Sequence, residues 1–356
     1  MTARLEIDLD AIAANWRLLD GLHPGATSGV IKADAYGLGA LQVAPRLLRE
    51  GCRHFFVAHL CEALAVRDTV PGAMLAVLNG LAPGEAAAFI AADVLPVLGS
   101  RSELAEWRAA AQAHGRVLPA ILHVDTGMSR LGLGPSDLAA LAQDATLLEG
   151  LRVTYVMTHL VSADTPNDPM NARQAEQFAA AATLFPHAKT SFANSSGMFL
   201  GPRFHSDLAR PGAAIYGINP TPGRPSELAG VVRLTAPILQ IRELSPGETV
   251  GYNGFWVAER PSRIAVVGVG YADGYHRALT NRATARFDGT PVPLVGRVSM
   301  DLATFDVTDV PARVQDVLEL IGPGHGADAL ALEAGTNGYE ILTSLGRRYQ
   351  RRYLGA

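Results

Sequence analysis

The chain has 356 residues, 48% of them apolar, with a net charge of −4, which is enough for a sizeable core in two domains or one large domain with an appendage. It contains no basic block and no apolar run long enough to cross a bilayer, so neither a nucleic-acid partner nor a membrane partner is expected. The N-terminus lacks a signal-peptide pattern, and Cys52 and Cys61 form no Cys-x-x-Cys pair, which favours a cytoplasmic protein with free thiols.

Strand-like and helical segments alternate between about residues 25 and 217. The predicted strands are 28–32, 54–58, 74–78, 94–98, 119–124, 153–158, 190–194 and 213–216. Alanine-rich amphipathic segments such as 40–50 and 102–114 separate them. Eight evenly spaced β units without a glycine fingerprint favour a closed (β/α)8 barrel of the TIM type over an open Rossmann sheet.

The pattern changes after a segment rich in proline and glycine at 219–225. The β-type runs that follow are 231–241, 248–252, 263–269, 284–287, 292–298, 303–307 and 316–320. Turn signals separate these runs, and a short helix is predicted near 337–346. The expected fold class is therefore α/β, with an N-terminal barrel followed by a C-terminal, mainly β domain.

Lysine is almost absent from the chain, since only Lys32 and Lys189 occur among its 30 basic residues. Lys32 ends a predicted buried strand, whereas Lys189 lies at a helix-to-strand junction and is typical of a surface charge. A desolvated lysine amine can lose its proton and form a Schiff base, which arginine cannot do. Lys32 is therefore a candidate for covalent chemistry, although a strand-end lysine more often only extends its amine to solvent.

Other polar residues follow predicted strands immediately, where barrel enzymes build their active sites. These residues are His123, Asp125, His159, Asn194 and Ser195.

Several further residues are candidates that would each be unremarkable alone. Tyr36 lies four residues after Lys32, Arg210 precedes a Pro-Gly turn, and Tyr252 lies in a glycine-rich loop. No helical pattern follows the glycines of 267–275, which argues against a dinucleotide site, and no histidine spacing indicates a metal centre.

Six ordered segments together resemble the alanine racemase family. They are 31–37, 123–132, 209–217, 250–252, 270–274 and 296–301. The resemblance implies a pyridoxal 5'-phosphate-binding barrel at 11–228, a β domain at 229–356 that residues 1–10 join as a strand, and a homodimer with shared active sites. It also implies interconversion of L-alanine and D-alanine, a peptidoglycan precursor, while leaving a role in alanine breakdown open.

The resemblance also implies roles for individual residues. Lys32 would hold the cofactor as a Schiff base, and Tyr252 of the partner subunit would be the base on the opposite face. The remaining cofactor-binding residues would be Tyr36, His159, Asn194, Ser195, Arg210, Gly212, Ala213 and Tyr216. The substrate carboxylate would be held by Arg130 and the Met300 N–H, while Tyr271 would narrow access to the site.

Two positions depart from the family pattern. Many relatives have a carboxylated lysine at position 123 that orients the counterpart of Arg130, but this chain has His123. We expect a bound anion such as chloride, or a neighbouring side chain, to support Arg130 instead. Gly346 stands where many relatives carry a tyrosine, and the missing side chain could loosen the cofactor or admit a larger substrate.

Other activities remain open at this point. A racemase of broader specificity, for example one that accepts serine, is the nearest alternative. A basic-amino-acid decarboxylase would need a longer chain and a cysteine in the β domain. A non-catalytic pyridoxal phosphate carrier would resemble the barrel alone, so the β domain and Tyr252 argue against it.

Overall fold

The structure is a computed structural model that describes residues 2–355. The chain divides into two compact units. The first, which we call the barrel unit, contains residues 12–35 and 39–228. The second, which we call the sheet unit, contains the residues up to 11, residues 36–38 and the residues from 229 onward.

The barrel unit is built on parallel strands that alternate with helices. Strand β1 (Arg4–Asp8) belongs to the sheet unit, and the strands of the barrel unit are β2 (Ala26–Thr27), β3 (Gly29–Val30), β4 (His54–Val57), β5 (Met74–Val77), β6 (Leu95–Leu98), β7 (Leu118–His123), β8 (Leu151–Met157), β9 (Lys189–Asn194) and β10 (Leu208–Arg210). Neighbouring strands pair in the order β2-β10-β9-β8-β7-β6-β5-β4-β3.

The segment 26–30 closes this barrel, because its two halves pair with different neighbours. Thr27 pairs with Ala209 of β10, whereas Gly29 pairs with Phe55 of β4. The strands β2 and β3 therefore act as one broken strand, which gives eight strand positions around the barrel. The predicted (β/α)8 barrel is confirmed.

The helices between the strands are α1 (Leu9–Leu22), α2 (Ala40–Glu50), α3 (Leu60–Val66), α4 (Ala86–Ala91), α5 (Arg101–His114), α6 (Pro135–Gln143) and α7 (Pro169–Ala182). Helix α5 shows how the sequence defines such an element. The Ser100 hydroxyl caps its first turn by accepting the Glu103 N–H, and Gly115 ends it in the left-handed conformation. Leu104, Trp107 and Ala111 form its buried face.

One predicted strand is wrong, because residues 213–216 form a short 3-10 helix and the last barrel strand is the three-residue β10. The segment is apolar because it is buried, and not because it is extended. Pro211 has no N–H to donate to a strand ladder. The N–H groups of Gly212 and Ala214 donate instead to the Ser195 hydroxyl oxygen, at 2.9 and 3.2 Å, which coils the segment.

The sheet unit contains two further helices and nine further strands. The helices are α8 (Ala327–Ala334) and α9 (Gly338–Ser344). The strands are β11 (Val232–Leu244), β12 (Thr249–Val250), β13 (Trp256–Val257), β14 (Ser262–Val267), β15 (Thr284–Phe287), β16 (Thr290–Pro293), β17 (Ala303–Asp306), β18 (Val317–Ile321) and β19 (Gln350–Leu354). The large sheet has the order β16-β15-β18-β11-β1-β19, and β14 joins β11 to β17.

The N-terminal strand β1 lies between β11 and the edge strand β19 of this sheet. Leu5 pairs with Leu234 of β11 in an antiparallel ladder and with Arg351 of β19 in a parallel ladder. Leu5 and Ile7 are fully buried, as expected for alternate residues of a strand that packs on one face.

No helix among residues 2–355 has both the length and the apolar character required to cross a membrane.

Candidate active site

The polar residues that follow the barrel strands meet at one end of the barrel. Lys32 follows β3, His123 ends β7, His159 lies two residues after β8, and Arg210 ends β10. Because all these strands are parallel, their carboxyl ends open at the same end of the barrel. This arrangement brings together residues that are far apart in sequence.

Lys32 begins a turn with an unusual backbone. The four residues that follow it, Ala33 to Tyr36, all have φ between 53° and 55°, the left-handed region that L-residues seldom occupy. Burial lowers the pKa of the Lys32 amine, the charge of Arg130 lowers it further, and Glu62 acts in the opposite direction. A lowered pKa makes the neutral, nucleophilic form of the amine more accessible near neutral pH.

Arg210 is a buried cation with only neutral partners. Its Nη1 donates to the Ser191 hydroxyl at 2.6 Å, and its Nη2 donates to the Thr158 carbonyl. Among residues 2–355 no carboxylate forms an ion pair with it. Burial lowers the pKa of Arg210 to about 9, so the side chain stays charged at neutral pH.

The two histidines near Arg210 are kept neutral. Burial, followed by the charge of Arg210, lowers the pKa of His123 to about 4. The same two causes lower the pKa of His159 to about 3. Both imidazoles are therefore uncharged near neutral pH, and the fixed charge in this part of the site is that of the arginine.

Ser195 and the turn after Arg210 form a second group. The Ser195 oxygen accepts two backbone N–H groups, which leaves its own O–H able to donate to a further acceptor. The Tyr216 hydroxyl donates to the Val30 carbonyl at 3.0 Å, which connects this turn to the strand that precedes Lys32. Asn194 supports the loop, since its side-chain oxygen accepts the Gly197 N–H at 2.9 Å.

Arg130 lies in an exposed loop after β7 whose backbone is fixed by Asp125. One oxygen of that carboxylate accepts the N–H groups of Gly127 and Met128 at 2.9 Å each, and Ser129 also donates to it. Arg130 itself forms no hydrogen bond or ion pair within the described range 2–355. No neighbouring side chain of the described residues therefore supports Arg130 in this way, and the expected anion beside it remains a prediction.

Sequence reasoning missed two residues that hold these loops in place. Gln174 of α7 is fully buried, and its amide donates to Thr126 at 3.0 Å and to the His159 carbonyl at 2.9 Å. Glu62 of α3 accepts the Ala33 N–H at 2.6 Å. An acid three residues into a helix is a recognisable capping signal, so Glu62 could have been identified, but nothing in the sequence distinguishes Gln174.

The remaining predicted residues lie in the sheet unit. Tyr252 is 70% exposed on a short turn in which Asn253 has φ 62°. Met300 and Tyr271 are also exposed. Tyr36 belongs to this unit as well, and burial raises the pKa of its phenol, which therefore stays protonated and able to donate.

The loops that carry Tyr271 and Met300 are bound to each other. The Tyr271 N–H donates to the Ser299 carbonyl and the Ala272 N–H donates to the Met300 carbonyl, each at 3.0 Å. Arg348 binds both carboxylate oxygens of Asp273, at 2.6 and 2.8 Å, and also contacts Asp301.

Gly346 packs against the same loop. Its N–H donates to the Asp273 carbonyl at 2.9 Å, and a Cβ at this position would lie 3.2 Å from the Asp273 backbone.

No group of three or more potential metal-ligating side chains within residues 2–355 is arranged to hold a metal ion.

Comparison with known proteins identifies the family. The family models described as alanine racemase, N-terminal domain, and alanine racemase, C-terminal domain, match residues 7–220 and 231–353. An alanine racemase of Acidiphilium cryptum is 58% identical over 348 residues, which cover 98% of this chain and 97% of the relative. An alanine racemase of Rhodospirillum rubrum is 51% identical over 360 residues, with 99% and 96% covered.

Solved structures agree with these matches. Alanine racemase from Bartonella henselae, with covalently bound pyridoxal phosphate, has a TM-score of 0.96 and 40% identity, with 99% of this chain and 100% of that one covered. Biosynthetic alanine racemase from Pseudomonas aeruginosa has a TM-score of 0.92 and 35% identity, with 99% of each chain covered. The chain therefore belongs to the alanine racemase family.

Proposed function

We propose that this chain is a pyridoxal phosphate-dependent racemase that interconverts L-alanine and D-alanine. The observation that carries the proposal is the position of Lys32, a half-buried amine of lowered pKa at the same barrel end as the cationic Arg210. The family membership and the bound pyridoxal phosphate of the Bartonella relative support it.

The residues of the barrel end fit this cofactor. Lys32 offers a primary amine for covalent attachment to an aldehyde. The free O–H of Ser195 and the backbone around Gly212 and Ala213 suit a phosphate, to which we also assign Tyr36. Arg210 suits the pyridine nitrogen, because an arginine beside that nitrogen disfavours its protonation, whereas an aspartate would favour it.

The cofactor supplies an electron sink that makes the α-proton of a bound amino acid removable. The chain must supply the bases. The Lys32 amine takes or returns the proton on one face, which is consistent with its lowered pKa. His123 and His159 are neutral, so Arg210 would be the charged group at the pyridine nitrogen, where it would limit electron withdrawal into the ring and disfavour transamination.

Racemisation requires a second base on the opposite face, which we assign to Tyr252 of the partner subunit. The exposure of Tyr252 supports this assignment, because a base that serves another subunit must be presented at the surface. Neighbouring apolar side chains of the same unit, Phe255, Met300 and Leu302, are also exposed, as expected for a surface that a homodimer would bury.

The substrate carboxylate is assigned to Arg130 and the Met300 N–H, with Tyr271 restricting access. The charge of Arg130 lowers the pKa of Lys32, which supports this assignment. We also propose that the domains divide at residues 10 and 228 and that the enzyme acts in the cytoplasm, where it provides D-alanine for peptidoglycan.

The two lysines of the chain allow a direct test of the cofactor site. We expect Lys32→Ala to lose both the absorbance band at about 420 nm and all alanine racemase activity, because no other amine at this site can form the Schiff base with the cofactor. Lys189→Ala is the matched control and should retain both. A Lys32→Ala protein that kept the band would contradict the proposal.

The second base is tested by α-hydrogen exchange in D2O. In Tyr252→Phe, Lys32 should still exchange the α-proton of one enantiomer of alanine, while exchange from the other enantiomer falls by at least about 100-fold. NMR of each pure enantiomer measures the two rates separately. Equal exchange of both enantiomers by Tyr252→Phe would rule out the two-base assignment.

A racemase of broader specificity remains the alternative, since Gly346 lacks the tyrosine side chain that many relatives carry at this position. Racemisation rates over a panel of L-amino acids, including serine, decide between the two. Restoring a tyrosine with Gly346→Tyr also tests the idea, although the close Asp273 backbone must then shift. A serine rate within about tenfold of the alanine rate would favour the broader activity.

A further inference from the structure

The backbone that follows Lys32 is under strain. Ala33, Asp34, Ala35 and Tyr36 form a left-handed turn without a glycine, and each such residue costs roughly 1–2 kcal/mol relative to a right-handed conformation. A conformation of this kind persists only where surrounding groups hold it. The turn has internal support, because the Ala35 N–H donates to the Ile31 carbonyl at 2.9 Å.

Glu62 of helix α3 provides the external support. One oxygen of its carboxylate accepts the N–H of Ala33, the first residue of the left-handed turn, at 2.6 Å. The other oxygen accepts the N–H groups of Ala58 and His59, at 2.7 and 3.1 Å. The carboxylate therefore joins the loop after β3, which carries Lys32, to the loop after β4.

We propose that Glu62 is a positioning residue for Lys32, because its carboxylate fixes the left-handed turn that begins directly after the lysine. The inference rests on the proposed function, because that function gives the Lys32 amine its importance. The contacts of Glu62 are independent of the proposed function. Among the residues of the site described so far, Glu62 is not assigned to the substrate or to the cofactor.

Glu62 affects the pKa of Lys32 in the opposite direction to the other groups around the amine. Burial and the Arg130 guanidinium lower the pKa of Lys32, whereas Glu62 raises it. His159 also faces Lys32, but burial and the charge of Arg210 keep that imidazole neutral near pH 7. Glu62 is therefore the one anionic group among these neighbours, and its removal should make the amine lose its proton more readily.

The chain contains a matched control for the clamp itself. Glu103 occupies the third position of α5, as Glu62 does of α3, and it also joins two neighbouring loops. Its carboxylate accepts the Leu81 N–H after β5 at 3.0 Å and the Gly99 N–H after β6 at 2.8 Å. Glu103→Gln thus removes an equivalent clamp at a distance from the reactive lysine.

The experiment is competitive acetylation of the full-length chain, freed of cofactor, over a range of pH. Because Lys32 and Lys189 are the only lysines, mass spectrometry reads the reactive amine against an exposed internal reference. We expect Glu62→Gln to raise the Lys32-to-Lys189 labelling ratio near neutral pH by about threefold or more. Glu103→Gln should leave the ratio unchanged, while urea midpoints fall similarly in both variants.

An unchanged ratio in Glu62→Gln, or an equal rise in Glu103→Gln, would overturn the proposal. Glu62→Asp guards against a variant that does not fold, because it keeps the charge but shortens the side chain. We expect Glu62→Asp to hold the ratio within about twofold of the original chain while hydrogen exchange at the Ala33 amide accelerates. A larger rise in the ratio would contradict the role of the charge.

The cofactor band separates this inference from the proposed function. If pyridoxal phosphate added to the original chain produced no absorbance band at about 420 nm, the proposed function would fail. The labelling ratios would still decide whether Glu62 positions the Lys32 amine.

Discussion

Arg210 shows how one buried charge controls its neighbours. Arg210 is 5% exposed, and its guanidinium is held by a hydroxyl and a carbonyl, with no carboxylate among residues 2–355 to offset the charge. The same charge helps to keep His123 and His159 neutral. Around Arg210, the positive charge is therefore carried by the guanidinium and not by the two histidines.

The neutral His123 makes stability depend on pH. Its folded-state pKa of about 4 lies below the ordinary value near 6.5, so the unfolded chain binds the proton more readily. Its contribution to stability is full above about pH 6.5 and is lost as the pH falls toward 4. Over that window we expect the free energy of unfolding to fall less steeply in His123→Gln than in the original chain.

Urea unfolding between pH 7 and pH 4.5 measures this difference. The exposed His187 is the control, because His187→Gln should follow the pH dependence of the original chain. Parallel curves for His123→Gln and the original chain would contradict a buried, neutral His123.

The support of Arg210 can be tested through Ser191. The Ser191 hydroxyl accepts from Arg210 at 2.6 Å and donates to the Leu208 carbonyl at 2.7 Å. Ser191→Ala leaves a buried cation with one fewer acceptor, and we expect it to destabilise the chain by about 1.5–3 kcal/mol. Ser136→Ala, at an exposed position of α6, should change stability by less than about 0.5 kcal/mol in the same urea experiment.

Among the structural elements, the left-handed turn after Lys32 reverses the usual effect of an Ala→Gly substitution on stability. Ala→Gly normally destabilises, by about 1 kcal/mol inside a helix. Ala33 has φ 53°, where glycine relieves roughly 1–2 kcal/mol of strain, so Ala33→Gly should be neutral or stabilising. Ala109→Gly, at an exposed position of α5, should show the usual loss when both are measured by urea unfolding.

A loss of about 1 kcal/mol in Ala33→Gly, equal to that in Ala109→Gly, would mean that the turn is not strained as described.

Alternation of apolar runs and amphipathic segments predicted the barrel strands well, because each strand buries nearly every residue between neighbours. The same signal failed at 213–216, where burial and Ser195 hydrogen bonds produce a 3-10 helix with the apolar composition of a strand. An apolar composition indicates burial, but at 213–216 it does not reveal the backbone conformation, which depends on hydrogen bonds to the distant Ser195.

The candidate site was predictable to the extent that chemistry restricts residue type. Lys32 stands out because almost every other basic residue is arginine, and its neighbours were identified through the family resemblance. Glu62 and Gln174 act through contacts with loops that are distant in sequence, so no local pattern marks their targets. The run of four left-handed residues likewise contradicts their intrinsic preferences and depends on tertiary contacts.

At the scale of the whole molecule, the barrel unit carries Lys32 and Arg210, whereas the sheet unit carries Tyr252, Tyr271 and Met300. The proposed activity needs both sets of residues in one site. A shared site in a homodimer requires that the lysine and the tyrosine of each site come from different subunits. Intermixing subunits therefore tests the shared site more directly than any single substitution.

The decisive measurement is racemase activity after Lys32→Ala and Tyr252→Phe chains are unfolded together and refolded as a mixture. Each mixed dimer would contain one site with both substitutions and one intact site, so the mixture should recover about a quarter of the original activity. Each variant refolded alone is the control and should remain nearly inactive. If the mixture stays as inactive as its components while mixed dimers form, Tyr252 does not act in the partner's site.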